Sequence, residues 1–121
     1  MDVTHIQVAS IAHLQWKSKL SDFFYGVENL TPGDVPDHIH CEFGKWLYDS
    51  GLQEFSSFPE MKRVEALHKV FHEKVKRLVQ MPEEQRKSAE GKQALKDFKS
   101  ECDDFIHLLD TIEAQAKKYT I

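Results

Sequence analysis

Apolar residues recur along the chain at three- and four-residue steps, the spacing that gathers them on one side of an α-helix. The first run joins Ile6, Ala9, His13, Trp16, Leu20, Phe23, Phe24 and Val27, and predicts a helix from about Thr4 to about Asn29. A second run follows Pro59 and joins Met61, Val64, Leu67, His68, Phe71, His72, Val75, Leu78 and Val79. Glu60 stands at its start, where a carboxylate favours the positive end of a helix. A third run joins Leu95, Phe98, Cys102, Phe105, Ile106, Leu109, Ile112 and Ala116. Between the first two, Glu42 to Asp49 reads as a short helix, with Gly51 ending the segment. No stretch shows the apolar–polar alternation of a half-buried strand. The expectation is an all-α fold, an antiparallel helical bundle of three long helices and at least one short helix.

The breaks are equally informative. Thr31-Pro32-Gly33-Asp34-Val35-Pro36-Asp37 is a loop by every local signal, with two prolines, a glycine and two aspartates. Pro82 marks a second turn. The stretch from Glu83 to Gln93 admits two readings, as the beginning of the last helix or as a loop interrupted by Gly91. There is no internal repeat and no low-complexity tract. The 121 residues suit a single domain, 1–121, large enough for its own core and too small for two.

Charge and composition narrow the function classes. A net charge of -4 speaks against a general nucleic-acid or membrane-surface role, and Lys74, Lys76 and Arg77 read as a solvated helix face. No apolar run approaches the roughly 18 residues of a membrane span. Asp2 and His5 stand where a secretory signal would carry a basic region followed by an apolar one. The two cysteines, Cys41 and Cys102, make no disulfide framework for a domain of this size, so a reducing, cytoplasmic setting is expected. With Met1 directly before the first helix, neither a transmembrane receptor nor a cyclase is expected within these residues, whether they are a free-standing protein or a fragment of a longer one.

The chemistry lies in where the histidines fall. His13 sits in the middle of the first apolar stripe, and His68 and His72 lie one turn apart on the stripe of the helix after Pro59, so all three imidazoles point inward. A buried imidazole loses hydration and must find partners for its ring nitrogens. A His-x-x-x-His pair is common, and one inward histidine is ordinarily a satisfied core residue. Three of them, with Cys41 beside the proline loop, favour a divalent metal, and cysteine with neutral imidazole suits tetrahedral zinc. His38 and His40, just before Cys41, compete for the same role; as loop residues they are less preorganised. Cys102 is most simply a small buried apolar residue. His107 falls off its stripe, and His5 lies near the terminus.

Three blocks carry a resemblance: His13-Leu14-Gln15-Trp16, then Cys41-Glu42-Phe43-Gly44-Lys45-Trp46-Leu47-Tyr48, then His68-Lys69-Val70-Phe71-His72. In order and separation they resemble the chemoreceptor zinc-binding family, the central block being the specific part. The resemblance assigns His13, Cys41, His68 and His72 as zinc ligands. It implies a sensory or regulatory module of bacterial signalling, joined to a chemoreceptor or diguanylate cyclase type output or free-standing, and forming a homodimer. The inputs it implies are zinc itself and oxidation of the zinc-bound cysteine by hypochlorous acid or a related oxidant. Tyr25, Tyr48, Phe55 and Phe58 look surplus to one small core and hint at an interface.

The residues of the central block also have a reading of their own. Cys41 precedes a helix N-terminus, which favours a thiolate. Gly44 would let the backbone approach a neighbouring helix, and Phe43, Trp46 and Leu47 would anchor the short helix. Loss of one ligand would then free that helix, a local element a switch can use. The competing reading is a structural zinc module with no switching role.

Enzymatic activity is not expected, because four protein ligands leave no position for a reactive water. A di-iron centre would need two inward Glu-x-x-His pairs. Glu65 with His68 offers one, but Asp104 with His107 points away from its apolar stripe. No phosphate loop or Ser-His-Asp set appears.

Overall fold

The apolar stripes become the buried faces of three long helices in the computed structural model, which describes residues 2–118. Helix α1 (Thr4–Phe24) is followed by a 3-10 turn at Pro32–Asp34, α2 (Glu42–Trp46), a π-helical stretch Leu47–Gly51 and α3 (Leu52–Glu54). Helices α4 (Glu60–Val79), α5 (Glu83–Arg86) and α6 (Ala89–Lys117) complete the chain. Among the described residues there is no strand. The fold is all-helical.

Helix α1 stops at Phe24, five residues short of the predicted end. The reason is a Schellman cap. Gly26 adopts φ 78°, its N–H donates to Phe23 O at 3.2 Å, and the Val27 N–H donates to Asp22 O at 2.8 Å. Val27 therefore leaves the stripe and is exposed. The rest of the stripe holds: Ile6, Ala9, His13, Leu20, Phe23 and Phe24 are buried, and Trp16 packs against the core from a half-buried position.

Helices α1 and α4 both pack on α6 and also touch each other. Gln7 Nε2 donates to Glu113 Oε1 at 2.7 Å, and Lys17 meets Asp103 at 2.7 Å. On α4, Lys74 pairs with Glu101, and Gln115 Nε2 donates to Glu60 Oε1 at 3.4 Å. Phe71, Phe98 and Phe105 fill the space between, with Phe71 ring centroids 5.2 Å from Phe98 and 5.9 Å from Phe105. The stripes of α4 and α6 are buried as read, except that Leu67 and Ile106 are only partly covered. Leu108, outside the predicted stripe, is buried.

Two local expectations are corrected. The short helix does not end at Asp49. The chain keeps turning through the π-helical stretch into α3, and Gly51 sits inside this path, where a Cβ would come within 2.9 Å of the Trp46 ring. That continuation turns Phe55 and Phe58 inward, at 1% and 6% exposure, so they belong to the core and are not surplus. Tyr25 and Tyr48 do remain exposed. The ambiguous stretch after Pro82 is helical on both sides of a break at Lys87–Ser88: α5 is one turn, and α6 begins anew at Ala89 with Gly91 inside its first turn. Ser88 caps it by accepting from the Gly91 N–H at 3.1 Å, and a Cβ at Gly91 would overlap the Gln85 carbonyl.

Candidate metal centre

Each of the four residues singled out reaches the centre for a local reason. His13 is on the inner face of α1, and one turn of α4 separates His68 from His72. Cys41 is the N-cap residue of α2, in extended conformation, with its Sγ accepting from the Gly44 N–H at 3.2 Å. The four ligand atoms all lie within 4.8 Å of one another. Cys41 Sγ is 3.3 Å from His68 Nε2, which is 3.0 Å from His72 Nε2. In a tetrahedral zinc site with bonds of about 2.0–2.3 Å, neighbouring ligand atoms stand about 3.3–3.6 Å apart. The two separations at His68 Nε2 are thus close to the spacing that such an ion requires.

The outer hydrogen bonds fix which ring nitrogens point inward. His13 Nδ1 contacts the Ala9 carbonyl oxygen at 2.7 Å, and His72 Nδ1 contacts that of Pro36 at 2.8 Å. A carbonyl can only accept, so both Nδ1 atoms carry protons, and in the neutral rings the Nε2 lone pairs face the centre. This is the arrangement in which an outer acceptor orients a metal-binding imidazole. His68 Nδ1 is buried and finds no hydrogen-bond partner among the described residues. The ring itself is held by edge contacts with His13 and Phe43, at 5.0 Å each.

Burial sets the electrostatics. His13, His68 and His72 are 4%, 0% and 5% exposed. Loss of hydration, first among the causes, pushes His13 down to about 4 and His68 and His72 below the usual imidazole range. All three are therefore neutral near pH 7, the state in which they can donate lone pairs. Cys41 departs from expectation. Its position at a helix start predicts a favoured thiolate, and the Gly44, Phe43 and Cys41 N–H groups do pull in that direction. Burial outweighs them, and the thiol is raised above its ordinary value. A cation at the centre would be needed to reverse this.

The remaining candidates fall outside the group. His40 is exposed and faces Asp37 at 3.5 Å. His38 is half-buried, and its carbonyl oxygen lies 3.7 Å from Cys41 Sγ. His107 and Asp104 are exposed, and Glu65 engages Tyr48. Cys102 is fully buried, with its Sγ 3.8 Å from His13 O. His5, which has no assigned role in the sequence pattern, stacks on Trp46 with centroids 5.0 Å apart. His5 also lines a groove of about 390 Å³, together with Val8, Trp16, His13, Cys41 and His72. That groove, and the backbone carbonyls of Ala9 and Pro36, carried no signal in side-chain identity.

A family model described as the chemoreceptor zinc-binding domain matches residues 13–79, which begin at His13 and take in all four residues of the group. The chain belongs to the chemoreceptor zinc-binding domain family. No curated protein and no solved structure is similar enough to count as a match. Within this chemoreceptor zinc-binding domain, the matched span runs from the middle of α1 to the end of α4, and α6 supplies the surface on which both helices pack.

Gly44 is where the family's central block meets the geometry. Its Cβ position is taken by the His38 carbonyl of the preceding loop, not by a neighbouring helix as the sequence suggested. Gly44→Ala should therefore displace the N-cap of α2, costing about 1–3 kcal/mol by overpacking. Urea unfolding and a zinc-competition titration should show lower stability together with weaker metal binding. Unchanged values in both would show that this close approach is not part of the site.

Proposed function

We propose that the domain holds one zinc ion through Cys41 Sγ and the Nε2 atoms of His13, His68 and His72, and acts as a sensory module in bacterial signalling. The observation that carries this reading is the convergence of three neutral, buried imidazoles and one thiol within 4.8 Å, in a chain of a zinc-binding family. When bound, zinc supplies the positive charge that stabilises the Cys41 thiolate and takes up the inward lone pairs. Four protein ligands complete a tetrahedral shell, so the role is regulatory and not catalytic.

Cys41 is the ligand suited to sensing. It is the most exposed of the four, it is the only one with redox chemistry, and it opens onto the groove between α1 and α2. Its thiolate sulfur can take the oxygen of hypochlorous acid while chloride leaves, giving a sulfenic acid that is a poor metal ligand. Helix α2 would not simply come free, because Phe43, Trp46 and Leu47 are all buried. The change is instead a repacking of the Cys41–Gly44 cap, passed along the π-helical stretch to α3. Its receiver is an output protein or domain of the chemoreceptor or diguanylate cyclase type.

The contacts Gln7–Glu113, Lys17–Asp103 and Gln115–Glu60 favour an antiparallel bundle as the frame for this motion. A second copy of the chain is the partner proposed for the outer face of α1, where Val8, Ile11 and Leu14 are 54%, 62% and 46% exposed. These lie at three-residue steps, an apolar stripe that water would otherwise cover. The resulting dimer would sit beside the groove, which Val8 also lines.

Zinc release, followed with a chromophoric chelator during titration with hypochlorous acid, tests the sensing role. The wild-type protein should lose its zinc as Cys41 is oxidised, and zinc-loaded Cys41→Ala should not respond at the same oxidant ratio. Release that is equal in the two would place the reactive group elsewhere. Sedimentation velocity tests the partner. The wild-type chain should be dimeric and Ile11→Asp monomeric; a monomeric wild type, or an unaffected variant, contradicts the α1 interface.

A further inference from the structure

Outside the four-residue group, the loop before α2 carries one more histidine close to the centre. The His38 ring centroid is 6.2 Å from that of His68. The rings of His72 and His13 stand 4.6 Å and 5.0 Å from the same ring, so the His38 ring lies just outside the two histidine rings that border His68. The approach is also edge-to-face, at 75°.

The loop is placed, not loose. Thr31 N–H donates to Asp34 Oδ2 at 2.8 Å, the Pro36 carbonyl meets His72 Nδ1, and the His38 carbonyl fills the space over Gly44. The backbone of residue 38 is thereby held within one short loop of both His72 and Cys41. Its side chain is half-buried and rests edge-on against Tyr48, at 6.1 Å. His40 has no such placement, being exposed beside Asp37. The His38 ring nitrogens lie outside the four-atom group, so engaging one requires a movement of the loop that also carries Cys41, three residues on.

We propose that His38 is a reserve metal ligand, which takes the coordination corner of Cys41 when the sulfur is lost to the metal. The inference rests on the zinc reading of the four-residue group. It gives the site two occupied states, one with three imidazoles and a thiolate and one with four imidazoles. The change of state moves the loop of residues 36–41, and with it the cap of α2. Imidazole is a good zinc ligand but carries no charge, so the second state is the weaker one.

Cobalt(II) titration reads both ligand type and affinity, because a thiolate–cobalt charge-transfer band and the intense tetrahedral ligand-field bands are separate signals. The wild-type chain and His38→Ala should both show the two signals with the same affinity. Cys41→Ala should lose the charge-transfer band but keep the tetrahedral bands at reduced affinity. Removing an outer partner of a metal site costs about 10–100-fold in affinity; adding His38→Ala to Cys41→Ala should cost at least that, with loss of the tetrahedral bands. Adding His40→Ala instead should cost nothing. Cys41→Ser, which retains an acceptor for the Gly44 N–H, should show the same dependence on His38 and guards against a folding defect in the alanine variant. Equal affinity of Cys41→Ala with and without His38, in both backgrounds, overturns the proposal, as does a dependence on His40. A wild-type chain that binds no cobalt overturns the zinc reading itself.

Discussion

Three imidazoles and a thiol converge on one small volume in the core, and the packing around them is arranged to keep them there. Ala9 and Pro36 hold the protonated Nδ1 atoms of His13 and His72, so the unprotonated faces cannot turn away. His68 is fully buried, with its Nε2 against both Cys41 and His72. Burial makes each ring neutral, which raises its value as a ligand and leaves it with little to do otherwise. A structural zinc ion is worth on the order of 10–16 kcal/mol in small domains, as large as the whole stability of a typical domain, about 5–15 kcal/mol. A zinc ion held in this volume would therefore act on the scale of the domain's whole stability.

What is attached is unevenly held. Helices α1 and α4 carry their histidines on faces that are buried along most of their length. Cys41, by contrast, stands at the first turn of a five-residue helix, with a loop on one side and a π-helical stretch on the other. Single π-helical turns are rare and often mark functional positions. A change at the sulfur is thus resisted least along the chain of α2, and the Phe43 and Trp46 side chains decide how far it can go. Trp46 touches Phe43, Phe55 and His5, which couples the cap of α2 to the start of α1 and to the segment leading into α4.

Much of this was legible before any coordinates. The inward histidines were readable because helix periodicity alone fixes which residues share a face, and the stripes of α4 and α6 have no interruption. Cys41 was readable because a loop rich in proline and aspartate must give way to a helix near it. The failures have equally local causes. Val27 continues the α1 pattern in register, but Gly26 between Tyr25 and Val27 ends the helix by adopting a left-handed conformation that periodicity does not register. The π-helical stretch shifts the face presented by the residues after it, so Phe55 and Phe58 were misread as surplus. The partners of Gly44 and of the His72 ring are backbone carbonyls of the preceding loop, and no side chain announces them. The preference of Cys41 for a thiolate was argued from the helix start alone, without the burial that opposes it.

The central claim is that this cluster is a zinc site. Elemental mass spectrometry of the protein, purified without chelator or added metal, measures it most directly. The account predicts about one zinc per chain, as expected for one four-ligand tetrahedral site. A chain free of metal, which also takes up none on titration, would mean that the three histidines are held by their protein neighbours alone, and would contradict it.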